Sequence, residues 1–341
     1  SGTSINCPDV FLKDTQTGET KRISTDAAGA QGDRESRHPS ISADGRFIAF
    51  NSGASNIVPG DTNGVADIFV KDTRTGAVAQ ASSSAGGERG DNNSDFPAIS
   101  ADGRFVAFMS DATNLVADDT NGKMDVFIKD MQTGTIARVS ADASGVQGDD
   151  TSGYGSLAIS AAGRFVAFDS GATNLVPGDE NGKRDIFLKD TRTGAVSLVS
   201  ADAAGVQGVE DSYKSVSLSA DGRLVSFSSD APNLVPGDTN TTSGKTDIFV
   251  KDIQTGVITR VSTSTAAVEA NGKSEFAVIS ADGLFVAFVS EAGNLIPDDT
   301  NRKADIFLKN LKSGETSRIS SSTSDTMDEA KTSTVNKDTS P

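Results

Sequence analysis

A β-propeller of four-stranded antiparallel blades is the fold class this sequence predicts, and three observations predict it. One phrase, Ser-Ala-Asp-Gly-Arg-Phe or a near variant, begins at Ser42, Ser100, Ser160, Ser219 and Ser280, with spacings of 58, 60, 59 and 61 residues. A second, Asp-[Ile/Val]-Phe-[Leu/Val/Ile]-Lys-[Asp/Asn], sets its phenylalanine at Phe11, Phe69, Phe127, Phe187, Phe249 and Phe307. Of the 17 phenylalanines only Phe96 and Phe276 lie outside these phrases, and aromatics used that regularly build a core. Finally, no segment offers an i, i+3, i+4, i+7 apolar pattern of useful length, so helix should be negligible. Short strands recurring at a fixed period close into a ring, which leaves few exposed edges.

Each unit reads as four strands in order. The first ends at the repeated serine, as in His-Pro-Ser-Ile-Ser (38–42) or Phe-Pro-Ala-Ile-Ser (96–100). Asp-Gly then makes a tight turn, because glycine accepts positive φ without steric cost. Arg-Phe-Val-Ala-Phe follows with period-2 alternation, then a loop, then Asp-Ile-Phe-Val-Lys-Asp. A Thr-x-Thr-Gly turn leads to a last strand such as Thr-Ile-Ala-Arg-Val-Ser (135–140). Five such units fill 25–320, after an N-terminal half unit at 1–24 and before a Ser/Thr-rich tail at 321–341.

Joined together, Ser-Ala-Asp-Gly-Arg-Phe-Val-Ala-Phe and Asp-Ile-Phe-Val-Lys-Asp-Thr-Arg-Thr-Gly resemble the TolB-type, WD-like propeller repeat. The resemblance covers roughly residues 5–320, with alanine where that family often has proline and phenylalanine where it often has tyrosine. It implies a six-bladed ring, export across the inner membrane and a protein- or ligand-binding role, hence a periplasmic, cell-surface or extracellular location. It does not imply catalysis.

Five units and a half leave six blade positions one hairpin short. An incomplete blade exposes unpaired N–H and C=O groups, a template for another chain's strand. The expectation is therefore a protein partner or self-association, as a homo-oligomer or fibre, through the N-terminal half blade or the tail. A fragment boundary, or closure by the tail, would account for the same half unit.

Composition removes several classes of function. The 341 residues carry 31 Lys+Arg against 47 Asp+Glu, a formal charge of −16. That balance argues against nucleic acid, whose phosphates need basic neutralisation, and against anionic membrane surfaces. No apolar run is long enough to insert into a membrane. One cysteine (Cys7) excludes an intramolecular disulfide framework, and one histidine (His38) leaves no histidine cluster. The opening Ser-Gly-Thr-Ser-Ile-Asn-Cys has no basic and apolar leader, so the chain reads as cytoplasmic, processed or excised.

Between the second and third strands of each unit lies an acidic loop. Its first, third and last positions are Asp61, Asn63 and Asp67; Asp119, Asn121 and Asp125; Asp179, Asn181 and Asp185; Asp238, Asn240 and Asp247; and Asp299, Asn301 and Asp305. Calcium takes six to eight oxygen ligands from such groups, so Ca2+ is one reading. The other is turn chemistry, since Asp and Asn side chains bond their own backbone.

Residues before each first strand vary most between units and are free to recognise something. Arg37, His38, Tyr154, Tyr213 and Lys214 are the candidate ligand contacts there, and both tyrosines stand six residues before the repeated serine. No nucleophile elbow or phosphate-cradling glycine loop is present. The sequence thus points to a secreted or cell-surface, non-catalytic binding or structural module. Its alternatives are an extracellular carboxylate-based hydrolase or lyase acting at a channel mouth, and a ligand-binding periplasmic propeller.

Overall fold

The computed structural model describes residues 8–239, 245–301 and 303–320, apart from the side chain of Lys214. Asn240 and the tail at 321–341, both invoked above, lie outside the described residues. The chain forms two compact units, Ser1–Ser140 and Ala141–Pro341. The first contains a half blade and two full blades (36–80 and 94–138); the second contains three (152–198, 212–260 and 274–318).

All regular structure among the described residues is β: five four-stranded sheets and one two-stranded sheet. This is the propeller-blade architecture expected. In the second full blade, Ser94–Ile99, Phe105–Ser110, Asp125–Asp130 and Ile136–Arg138 pair antiparallel in sequence order. The register sets Phe108 opposite Phe127, ring centroids 6.0 Å apart, and every full blade repeats that pair at 5.9–6.0 Å.

The two repeated phrases have direct physical meaning. In the hairpin, Ser100 Oγ donates to Asp102 (2.6 Å) and accepts from the Phe105 N–H (2.9 Å), while Gly103 takes φ +75°. The arginine that follows, Arg104, reaches Asp130 at the end of the third strand (2.7 Å). Asp130 also receives the N–H groups of Gln132 and Thr133, so one carboxylate ties the hairpin to the next turn.

Four of the five second strands differ from the alternation expected of them; the last, Phe285–Ser290, keeps it. Phe-Val-Ala-Phe-Met-Ser (105–110) is buried throughout except at half-buried Phe105. The cause is that blades stack, so a middle strand has no solvent face. In the first unit Ala49, Ile68 and Val70 of one blade meet Ile99, Val106 and Phe108 of the next. Equivalent clusters join neighbouring blades in the second unit. The third-strand lysines are buried as well: Lys129 Nζ donates to the Ser83 (2.8 Å) and Ser84 (3.0 Å) carbonyls of the preceding blade.

The half blade is anchored on the first full blade. Phe11–Lys13 pairs with Thr20–Arg22, and Val10 and Ile23 pack onto Ile48, Phe50 and Phe69 of the first full blade. Phe11 itself is 54% exposed, whereas its five equivalents are fully buried.

Candidate functional site

Three features of the described residues carry chemistry that the fold itself does not consume. The first is the outer edge of the half blade. In a full blade the third strand is flanked on one side by the Arg-Phe-Val-Ala-Phe strand and on the other by the last strand. Among the described residues Phe11–Lys13 has only the latter neighbour, and the Phe11 ring is 54% exposed.

The acidic loops form the second feature. Asn63, Asn121, Asn181 and Asn301 each donate their side-chain NH2 to the closing aspartate, Asp67, Asp125, Asp185 and Asp305, at 2.7–3.1 Å. Their carbonyls accept the backbone N–H two residues on, as in an Asx turn. The other oxygen of the closing aspartate takes a serine hydroxyl: Ser82, Ser140, Ser200 and Ser320, with Ser262 doing the same for Asp247.

In four of the loops an arginine reaches the first aspartate. Arg138 lies 3.5 Å from both Asp119 and Asp125, and Arg318 lies 3.7 and 3.6 Å from Asp299 and Asp305. Arg89 approaches Asp61 at 3.9 Å. Asp238, Asp247 and Glu269 bring carboxylate oxygens within 4.8 Å of one another, an arrangement able to hold a metal, yet Arg260 is 3.6, 3.8 and 2.5 Å from them. Burial raises the carboxyls of Asp61, Asp67, Asp119 and Asp179, and it lifts Asp125 and Asp185 to about 6. Asp179 adds to the shift of Asp185 through its own charge.

Side chains on the first strands and their approaches make the third feature. Every first strand carries a register shift, and a residue there has positive φ: His38, Phe96, Gly155, Ser215 and Phe276. Such bulges turn side chains out of the pleat and recur beside functional sites. In the first unit His38 stacks on Phe96 at 4.1 Å, and its Nδ1 lies 2.6 Å from Asp95 Oδ1. Arg37 pairs with Glu35 (2.8 Å).

In the second unit the structure brings Tyr154 and Tyr213 together on a residue the sequence reading passed over. The Arg184 guanidinium lies 4.6 Å from the Tyr154 ring centroid and 5.0 Å from that of Tyr213, and it makes no ion pair among the described residues. Tyr213 donates to Asp230 (3.0 Å), whose other oxygen takes the Thr246 hydroxyl (2.7 Å). The Tyr154 N–H bonds Asp169 Oδ1 (3.0 Å), but Asp169 Oδ2 has no partner. Burial lifts that carboxyl to about 6. Lys214 lies in the strand Ser212–Leu218, and its side chain falls outside the described residues. The missed signal was internal: Ala66, Met124, Thr246 and Ala304 hold the position of Arg184, and Asn51, Met109, Ser228 and Val289 that of Asp169.

No family model matches the chain, and no curated protein matches it. Solved structures do. A putative TolB from Agrobacterium tumefaciens is 14% identical with a TM-score of 0.52, over 91% of this chain and 87% of that one. An oligogalacturonate lyase solved with manganese is 15% identical with a TM-score of 0.51, over 91% and 72%. The Pyrococcus horikoshii acylaminoacyl peptidase is 14% identical with a TM-score of 0.53, over 92% of this chain but 41% of its own. These likenesses establish the propeller fold expected from the repeat, and the fold hosts binding proteins and enzymes alike.

Proposed function

We propose that this propeller is a non-catalytic binding module that docks an extended strand of a protein partner on the open edge of its half blade. The observation that carries the reading is Phe11: 54% exposed here, fully buried at the five equivalent positions. Strand addition supplies main-chain hydrogen bonds for affinity and side-chain pockets for selectivity. The register of the full blades defines the occupant as an extended segment carrying a phenylalanine opposite Phe11. A second copy could serve, by exchange of a blade strand or through residues 321–341, and would give an oligomer or fibre. A location outside the cytoplasm, in the periplasm or at the cell surface, suits such a module and agrees with the family that the repeat resembles.

The probe for docking is a synthetic peptide of residues 94–110, the first hairpin of the second full blade. It should bind the intact chain and fail to bind Phe11→Asp, a surface change that leaves the fold alone. Equal binding by both chains would sink the docking reading. Sizing and electron microscopy over a range of concentrations separate self-assembly from capture of a different protein.

A second reading rests on Arg184. A guanidinium over two aromatic rings with no ion pair among the described residues has N–H groups to offer a carboxylate. Since one neighbour of this fold is an oligogalacturonate lyase, digalacturonate and glutamate are the probes. Weaker binding by Arg184→Gln supports the reading, and turnover of either probe would replace the non-catalytic assignment.

A further inference from the structure

Comparison of the repeats isolates one loop that lacks its counter-ion. The last-strand position opposite the third-strand phenylalanine is Arg22, Gln80, Arg138, Leu198, Arg260 and Arg318 along the chain. Where it is arginine, the guanidinium meets the loop carboxylates, as Arg22 meets Asp9 in the half blade (3.2 Å). Where it is Gln80, Arg89 stands in from nine residues further on. In the third full blade it is Leu198, and nine residues on is Gln207.

Among the described residues no neighbouring cation compensates. Lys183 is bound to Glu210 (2.6 Å), and Arg184 is held between the tyrosine rings. Two buried aspartates are left facing each other's charge. Asp179 is 6% exposed and its Oδ1 accepts no hydrogen bond; Asp185 is fully buried. The shorter Leu198 leaves room, since Asp179, Leu198, Val206 and Gln207 line a groove of about 420 Å³. An isolated buried carboxylate is costly unless it is paired or coordinates a metal.

We infer that Asp179 and Asp185 hold a hard divalent cation, calcium in first place, seated where the other repeats place a guanidinium. Carboxylate, amide and carbonyl oxygens are hard donors, which suits Ca2+ or Mn2+ over thiophilic metals. The Asn181 carboxamide and the Gly178 and Gly208 carbonyls stand in the same loop cluster: Asn181 bonds Asp185 (2.7 Å) and Gly208 O (2.9 Å), and Gln207, oriented to satisfy its partners, bonds Gly178 O (3.2 Å). The five-site calcium reading thereby narrows to one site, with arginine as the built-in cation elsewhere.

The experiment is calorimetric titration of the metal-stripped full chain with CaCl2, MnCl2 and MgCl2 in turn, paired with thermal melts. The expected result is about one ion per chain and a higher Tm. Leu198→Arg installs the arginine that other repeats tolerate. It should weaken binding by about 100-fold while raising the Tm measured in chelator. Asp179→Asn should do the same, Asp119→Asn should leave binding unchanged, and Arg138→Leu should open a second site. The inference is overturned by an absence of binding with all three ions, or by undiminished binding in Leu198→Arg and Asp179→Asn. Absence of binding together with a Tm that climbs as the pH is lowered would identify a protonated carboxyl pair instead.

Discussion

A full blade and the half blade use the same third-strand phrase to opposite ends. Phe127 has a paired strand on each side, belongs to the cluster that joins its blade to the preceding one, and is inaccessible to solvent. Phe11, in the same phrase, has one flanking strand among the described residues and is mostly exposed. The difference shows that the phrase specifies a strand but not its burial, which comes from the hairpin that precedes it.

The sharpest way to break that comparison is to truncate the ring. Phe108→Ala or Phe127→Ala removes a fully buried side chain from a stacked core and should cost about 3–5 kcal/mol in urea unfolding. Phe11→Ala should cost less than about 1 kcal/mol, because its ring is mostly in water already. Similar losses at Phe11 and Phe127 would mean that the half blade is closed in solution.

A glycine test comes next. A Cβ on Gly103 would overlap the Phe47 ring of the preceding blade, and the residue holds φ +75°. Gly103→Ala should therefore cost about 2–3 kcal/mol, combining left-handed strain with overpacking. Gly45, whose turn is identical in the first full blade, has only the Ile41 side-chain tip 4.0 Å away. There the alanine should cost about 1 kcal/mol, the strain alone. The gap between the two reads how much interblade contact adds to a turn.

Much of this was legible in the sequence, and the reason is periodicity. Phenylalanines at fixed spacing forced repeated strands, and the Asp-Gly pairs placed their hairpins at Gly45, Gly103 and Gly222, all at positive φ. What local sequence did not carry was contact across the sheet or between blades. Arg138 meets Asp119 only because the register sets it opposite Phe127, and nothing near either residue announces that. The first-strand bulges were equally silent, since an aromatic at positive φ, as at Phe96 and Phe276, runs against its own preference. Arg184 and Leu198 were recoverable, but only by asking where one repeat departs from the other four.

The buried lysines give a smaller contrast. Lys129→Met strands the Ser83 and Ser84 carbonyls that its ammonium bonds, and should cost about 1–2 kcal/mol. Lys13, its exposed equivalent in the half blade, should tolerate the same change with no measurable shift in the urea midpoint.

The smallest expected effect is a pH dependence, and it follows from the arginines that close the third strands of the full blades. Asp72, Asp190 and Asp252 close their third strands under Arg46, Arg164 and Arg223, whose hydrogen bonds, helped by turn N–H groups, hold these carboxyls at about 2. Asp14, their equivalent, is lowered by the N–H groups of Thr17 and Gln16. A carboxyl whose folded pKa lies below its unfolded value, near 3.9, contributes stability at neutral pH and loses it as the pH falls toward 2. These arginines are partly exposed, so solvent screens each pair and its contribution should be small. Urea midpoints of Arg164→Gln and the parent chain should differ at about pH 7 and converge near pH 2. An equal gap at both values would show that Arg164 acts through packing on Phe165, which its guanidinium covers at 4.6 Å, and not through the carboxylate.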